Sequence, residues 1–261
     1  MSTHGAVHAA APVTLQHPAF SPYRALIDAL GLEHSLPTID RLNRVAEALQ
    51  IVQSRGLPVR FFEPGARLCA RDYETSVLET GRVPTRADNW HDALNALVWL
   101  RFPRFKSALN AAHGVAMVDE ADTRRGRRRD ALTVLDESGV WVVSGDATLP
   151  ALLEAHAWQA LFVDARSQVR QTMRFVVVGH ALLEKALAPF PSMTGKCLTL
   201  LTPSLEIDHA EALAVDAVAR IATPRELPPL PIQGVPGWDA KNDAVDYYAD
   251  ASVFRPRAAS A

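Results

Sequence analysis

Histidine, asparagine, aspartate and lysine recur at helical spacing in one stretch of this sequence, Asp88 to His113, which reads DNWHDALNALVWLRFPRFKSALNAAH. His91 and Asn95 are four apart, as are Asp88 and Asp92, and on a helix each such pair lies one above the other. Lys106, Asn110 and His113 follow at i, i+4 and i+7. If the two halves form a helical hairpin, these rows can face each other. Imidazole nitrogen combined with Asp or Asn oxygen suits Mg²⁺, Mn²⁺ or Zn²⁺. His91, Asp92 and Asn95 are therefore the candidate metal ligands, and a divalent metal is the cofactor they would hold. The competing reading is structural: Asp88 or Asn89 caps the helix, and the rest form a buried hydrogen-bonded network.

Three further features could do chemistry. Gly179 and His180 stand where an apolar run, RFVVV, hands over to HALLEKAL, with Glu184 four residues beyond His180. The start of a helix after a strand is a common ligand position, and its amides favour anions. His113 and His180, with Glu184, are the candidate catalytic acid–base residues. RRGRRRD, Arg124 to Asp130, offers guanidinium forks suited to phosphate or carboxylate. Arg128 and Arg129, with Lys106 and Asn110, are the candidate substrate-binding residues; the plain alternative for the Arg run is a solvated loop. SMTGKC lacks the first glycine and the final Ser or Thr of a Walker A loop, and no GxSxG, HExxH or GxGxxG occurs.

The elements that must position these residues are read from periodicity. A short helix through Arg24–Leu30 stops at Gly31, and Thr38 caps the next, with Leu42, Val45, Leu49 and Val52 on one face and Gly56-Leu57-Pro58 as its end. VRFFEP is a short strand. YETSVLETGRVPTR reads as two extended runs around Thr80-Gly81. A helix then runs to Leu100 or Arg101 with Trp90, Leu94, Leu97 and Val98 toward the core, and Pro103 opens a second, Arg104 to Ala112. Residues 119–130 read as a charged loop, and ALTVLDESGVWVV as a hairpin with Gly139 at positive φ. Leu149–Phe162 reads as helix. RFVVV, HALLEKAL and CLTLLTP suggest a βαβ unit, and Glu206–Ile221 a helix. From Pro224 the period is lost although Trp238, Tyr247, Tyr248 and Phe254 remain. The expectation is an α+β fold: a disordered tail over 1–18, a core over 19–223, and a Pro/aromatic-rich arm over 224–261 packed on it.

The composition bounds the function class. The chain has 261 residues, 48% hydrophobic and 21% charged, enough to bury a core without disulfides or structural metal. A net charge of −2 gives no whole-protein field toward nucleic acid or membrane. Two cysteines without CxxC spacing, no basic-then-apolar leader and no long apolar run predict a soluble cytoplasmic protein that makes no use of a membrane.

TGRVPTRADNWHDALNALVWLRFPRFKSALNAAH, RRRDALTVLDESGV, VGHALLEKALAPF and the PLPIQGVPGW and VFRP of the tail together resemble a proteobacterial family, domain of unknown function 3025, over about residues 20–256. That resemblance implies no particular activity, fold or ligand. A second likeness, over about 40 residues, is to the ββα-metal finger of HNH-type nucleases. Asp88, Asn89, Asn95, Leu97 and Trp99 follow its order, which implies metal binding by His91 or Asn95, although the hairpin here has no histidine to act as base. The favoured reading is a metal-assisted hydrolase or nuclease acting on a small phosphate-bearing ligand or nucleic acid, in which the ion activates a bound water. The alternative is a non-catalytic binding or scaffold protein whose His/Asn/Asp cluster is a structural network.

Overall fold

Asn89 has an extended backbone, and its side chain accepts the Asp92 N–H at 3.0 Å, capping the most buried helix of the molecule. Every residue from Ala93 to Leu100 in that helix is buried, so its apolar surface is covered on all sides and the amide of Asn95 is held inside the protein. The computed structural model describes residues 14–66, 68–118 and 126–257. In chain order the α-helices are α1 (Arg24–Leu30), α2 (Ile39–Ala48), α3 (Ala70–Thr80), α4 (Trp90–Arg101), α5 (Pro103–Val118) and α6 (Arg127–Ser138). After these come α7 (Thr148–Glu154), α8 (Arg166–Thr172), α9 (His180–Ala186) and α10 (Ile207–Val218). The strands are β1 (Arg60–Phe62), β2 (Arg82–Pro84), β3 (Gly139–Ser144), β4 (Met173–Val177), β5 (Thr194–Leu201) and β6 (Pro229–Pro231).

β1 and β2 form a small parallel pair, and the other four strands form a mixed sheet in the order β4-β3-β5-β6. β3 is antiparallel to β4 and parallel to β5. It is buried along its whole length, the pattern of a strand covered on both faces. Trp141 of β3 packs edge-on against Phe102 and Phe105, at 4.8 and 5.0 Å between ring centroids, which fixes the α4–α5 corner on the sheet. The fold is α+β in one domain, as the periodicity predicts. Among the described residues no helix is long and apolar enough to cross a membrane.

In two expected hairpins the first arm is a helix, while the second arm is a strand as expected: β2 in the one and β3 in the other. Residues 70–80 form α3, capped by Cys69 at its start and by Gly81, at φ 71°, at its end. The Thr80-Gly81 pair therefore marks a helix C-cap rather than a strand turn. ALTVLDES belongs to α6, in which Ala131, Leu132 and Leu135 are buried at helical spacing. The charged loop expected over 119–130 likewise gives way to α6 from Arg127, and residues 119–125 lie outside the described residues. Gly139 has φ −66°, so it is not a positive-φ turn residue; a Cβ there would stand 2.2 Å from the Leu135 carbonyl oxygen. The expected βαβ unit is also not one, because β4 is antiparallel and β5 parallel to the β3 between them, so the two strands joined by α9 run in opposite directions. α2 ends at Ala48, and Leu49 and Val52 are exposed instead of completing its apolar face.

At the chain's two ends, Leu15 and His17 are buried, while residues 1–13 lie outside the described residues. Leu227, Leu230, Ile232, Val235, Tyr248 and Phe254 all belong to the main hydrophobic cluster. β6 pairs with β5 through Leu230 and its neighbouring prolines.

Candidate functional site

Five helices carry ionisable or amide side chains to one cavity of about 300 Å³. Tyr73 and Glu74 come from α3, His91, Asp92 and Asn95 from α4, His113 from α5, Thr133, Asp136 and Glu137 from α6, and His180 from α9. A helical spacing recurs in three of these helices. His91 and Asn95 are i, i+4; Arg129, Thr133 and Asp136 are i, i+4, i+7; His180 and Glu184 are i, i+4. The rows on α4 and α5 do converge, as their spacing suggests, but α3, α6 and α9 are needed to close the site.

Its centre is a chain of polar contacts. The Lys106 ammonium donates to the Asp136 carboxylate, with Lys106 buried and its Nζ 5.6 Å from the Trp99 ring centroid. The other Asp136 oxygen lies 3.7 Å from His180 Nδ1. His180 Nε2 is 3.1 Å from His91 Nε2, and His91 Nδ1 is 2.9 Å from Glu184 Oε2. On the other wall, the Asn110 amide donates to Glu74 Oε2 at 2.7 Å and to the Glu74 carbonyl at 2.9 Å, and His113 Nε2 stands 3.9 Å from Glu74 Oε1. The Asn95 amide donates to the Tyr73 hydroxyl at 2.7 Å.

Burial sets the protonation states. The Glu74 carboxyl is pushed up to about 7 by removal from water and by the Asp136 charge, against the opposing pull of Asn110, Lys106 and Arg129. The same burial holds His180 down to about 4, so its imidazole is neutral near pH 7. Asp136 stays low despite its burial, because the Lys106 ammonium beside it favours its charged form. Desolvation and the Glu74 charge push the Tyr73 phenol up, keeping it neutral. A carboxyl raised to about 7 and an imidazole lowered to about 4 in the lining of one cavity are the kind of divergence that suits proton transfer near neutral pH.

The tautomers follow from the contacts. The Glu184 carboxylate can only accept, so a neutral His91 donates to it from Nδ1 and presents a bare Nε2. His180 then donates from its own Nε2 to His91. Nδ1 of His180 is then buried 3.7 Å from the Asp136 carboxylate, without a hydrogen-bond partner of its own; because that carboxylate can also only accept, His91 and Asp136 compete for the single proton of a neutral His180 ring. The free end of the Asn95 amide is also buried without a partner.

The structure places the other expected site residues as follows. Asp92 is held by Arg86, whose Nε and NH2 donate to it at 2.8 and 2.9 Å, and so sits at the rim as an ion-pair partner. Both His91 nitrogens are already committed. Among the described residues no group of three or more His, Cys, Asp or Glu side chains is arranged to hold a metal ion; His91 and Asp92 are instead engaged by His180 and Glu184 and by Arg86. Arg128 and Arg129 do not act as a pair: Arg128 donates to the Ala219 carbonyl at 3.2 Å, while Arg129 is buried near Glu74. Arg124 and Arg125 lie outside the described residues. Lys106 and Asn110 stand behind the cavity, committed to Asp136 and Glu74. His113 and His180 line it, and Glu184 reaches it through His91.

Sequence reasoning missed Tyr73, Glu74 and Asp136. The last was hidden by Asp-Glu-Ser-Gly, which looks like a turn; the Arg129, Thr133, Asp136 spacing is the signal that would have exposed it.

No curated protein and no solved structure matches the chain. Residues 59–258, which carry every one of these site residues, match the family described as protein of unknown function (DUF3025), and the chain belongs to that family.

Proposed function

We propose that the five-helix cavity binds a small polar molecule that donates hydrogen bonds, and that His180 and Glu74 move protons to and from it. The observation that carries this reading is the convergence of Glu74, His113, Asp136 and His180 on one cavity, with Nδ1 of His180 buried beside Asp136 and without a hydrogen-bond partner. A network built only for stability satisfies its members, because an unpaired buried polar atom costs about 1–3 kcal/mol. A donor on a bound molecule would fill that gap. A proton taken up at Nδ1 would gain the Asp136 carboxylate as counter-ion, as in general-base catalysis. Glu74, half protonated near pH 7, is placed to return one. His113 and Asn95 would orient the ligand.

A phosphate-bearing ligand or nucleic acid has less support. Lys106 is paired with Asp136, and Arg128 and Arg129 point to different places. A non-catalytic network keeps one observation in its favour: the Lys106–Asp136 and Glu74–Asn110 contacts tie α3, α5 and α6 together without a ligand.

A thermal-shift screen of polyols, amines, amino acids and nucleosides tests the reading. Saturable stabilisation of the wild type, lost in Glu74→Gln and His180→Gln, is the expected result. Absence of any saturable stabiliser would favour the structural network.

A further inference from the structure

We infer that Glu184 and His91 form a proton relay that connects solvent to the buried His180. The inference rests on His180 acting as the base of the cavity, and it assigns His91 a role other than metal ligand. Exposure falls stepwise along the chain of groups: the Glu184 side chain is 43% exposed, His91 32% and His180 8%. The contacts between them, 2.9 and 3.1 Å, are hydrogen bonds, so one polar path runs from the surface to the buried ring.

The protons balance along that path. His180 Nδ1 gains a proton from a bound molecule. The Nε2–H of His180 passes to the bare Nε2 of His91. The Nδ1–H of His91 passes to the Glu184 carboxylate, which releases it to water. Each ring gains one proton and loses one, so each ends neutral as the opposite tautomer. The return direction reloads the site. Such a path lets a base that is 8% exposed exchange its proton while a bound molecule fills the cavity. The charged groups around the relay are Asp136 and Lys106 at the inner end, and Arg86, Asp92 and Glu184 at the outer end.

The relay is testable in the free protein, without knowing the ligand. The probe is water itself: exchange of the His180 ring N–H with solvent, followed by ¹⁵N NMR on histidine-labelled protein. His91→Gln keeps a polar side chain opposite His180 but cannot pass a proton through a ring. Glu184→Gln keeps an acceptor for His91 that cannot take a proton. Both changes lie in partly exposed side chains, and an unchanged melting temperature would establish that the fold is intact.

The expected result is exchange slowed at least about tenfold in each variant, with partial recovery in Glu184→Asp. Wild-type exchange rates in both variants would overturn the relay. Slowing in His91→Gln alone would remove Glu184 from it. Failure of the ligand screen with a working relay would count against the cavity reading and leave this result standing.

Discussion

Lys106 of α5 and Asp136 of α6 form an ion pair in which the lysine side chain is 4% exposed and the aspartate 16%. Such a pair is costly to break from one side, because the remaining charge stays buried. Lys106→Ala should therefore destabilise the protein by roughly 3–5 kcal/mol in urea unfolding. The double variant Lys106→Met/Asp136→Leu should lose much less. Equal losses would mean that packing, not charge, sets the cost.

The pH dependence has two opposed parts. Glu74 is raised in the folded state from 4.5 to about 7, so the folded protein holds a proton that the unfolded chain releases, and stability falls as pH rises through that window. His180 is lowered from 6.5 to about 4, so the unfolded chain holds the extra proton and stability rises between those values. The two slopes largely offset each other between about 4.5 and 6.5. Glu74→Gln should expose a rising stability over that range, and His180→Gln a falling one. Denaturant midpoints at pH 4.5, 5.5 and 6.5 check both signs. Parallel curves for the wild type and both variants would contradict the assignment.

Gly179 is required for close approach rather than for backbone conformation. Its φ is −75°, but a Cβ would lie 2.4 Å from Gly139 N and 2.6 Å from the Glu137 carbonyl oxygen. Both obstacles are backbone, so the α9 start must move. Gly179→Ala should cost about 1–3 kcal/mol and displace His180 from His91. Loss of the His180 ring exchange behaviour alongside the stability loss would show that displacement, and an unaltered ring spectrum would argue against it.

The C-terminal segment supplies core as well as cover. Six buried apolar residues between Leu227 and Phe254 join the main cluster. At roughly 1.5–3 kcal/mol for each large side chain buried, their sum rivals the whole stability of an ordinary domain. Removing residues 225–261 should abolish cooperative unfolding. A truncated chain with a sharp melting transition would show that the preceding residues fold alone.

Much of the architecture was legible because helices announce themselves through caps and period. Asn89, Pro103, Thr38 and Gly31 all mark the ends they predict. The misread segments are those whose local signals point two ways. Thr80-Gly81 and Ser138-Gly139 end helices as readily as they turn hairpins, and only tertiary packing of Val77 or Leu135 decides. The site was half legible: polar rows on α4 and α5 stood out against an apolar background. Glu74 did not, since a carboxylate in a polar helix looks solvated until α5 and α6 cover it. Arg128 and Arg129 were adjacent in sequence, but on a helix neighbouring side chains diverge by about 100°.

The most direct test of the acid–base reading is the protonation of His180 itself, read from its two ring nitrogens by ¹⁵N NMR at pH 7. The account predicts a neutral ring with the proton on Nε2, a bare Nδ1, and no second proton until the pH falls toward about 4. A ring protonated on Nδ1, or doubly protonated at pH 7, would contradict it.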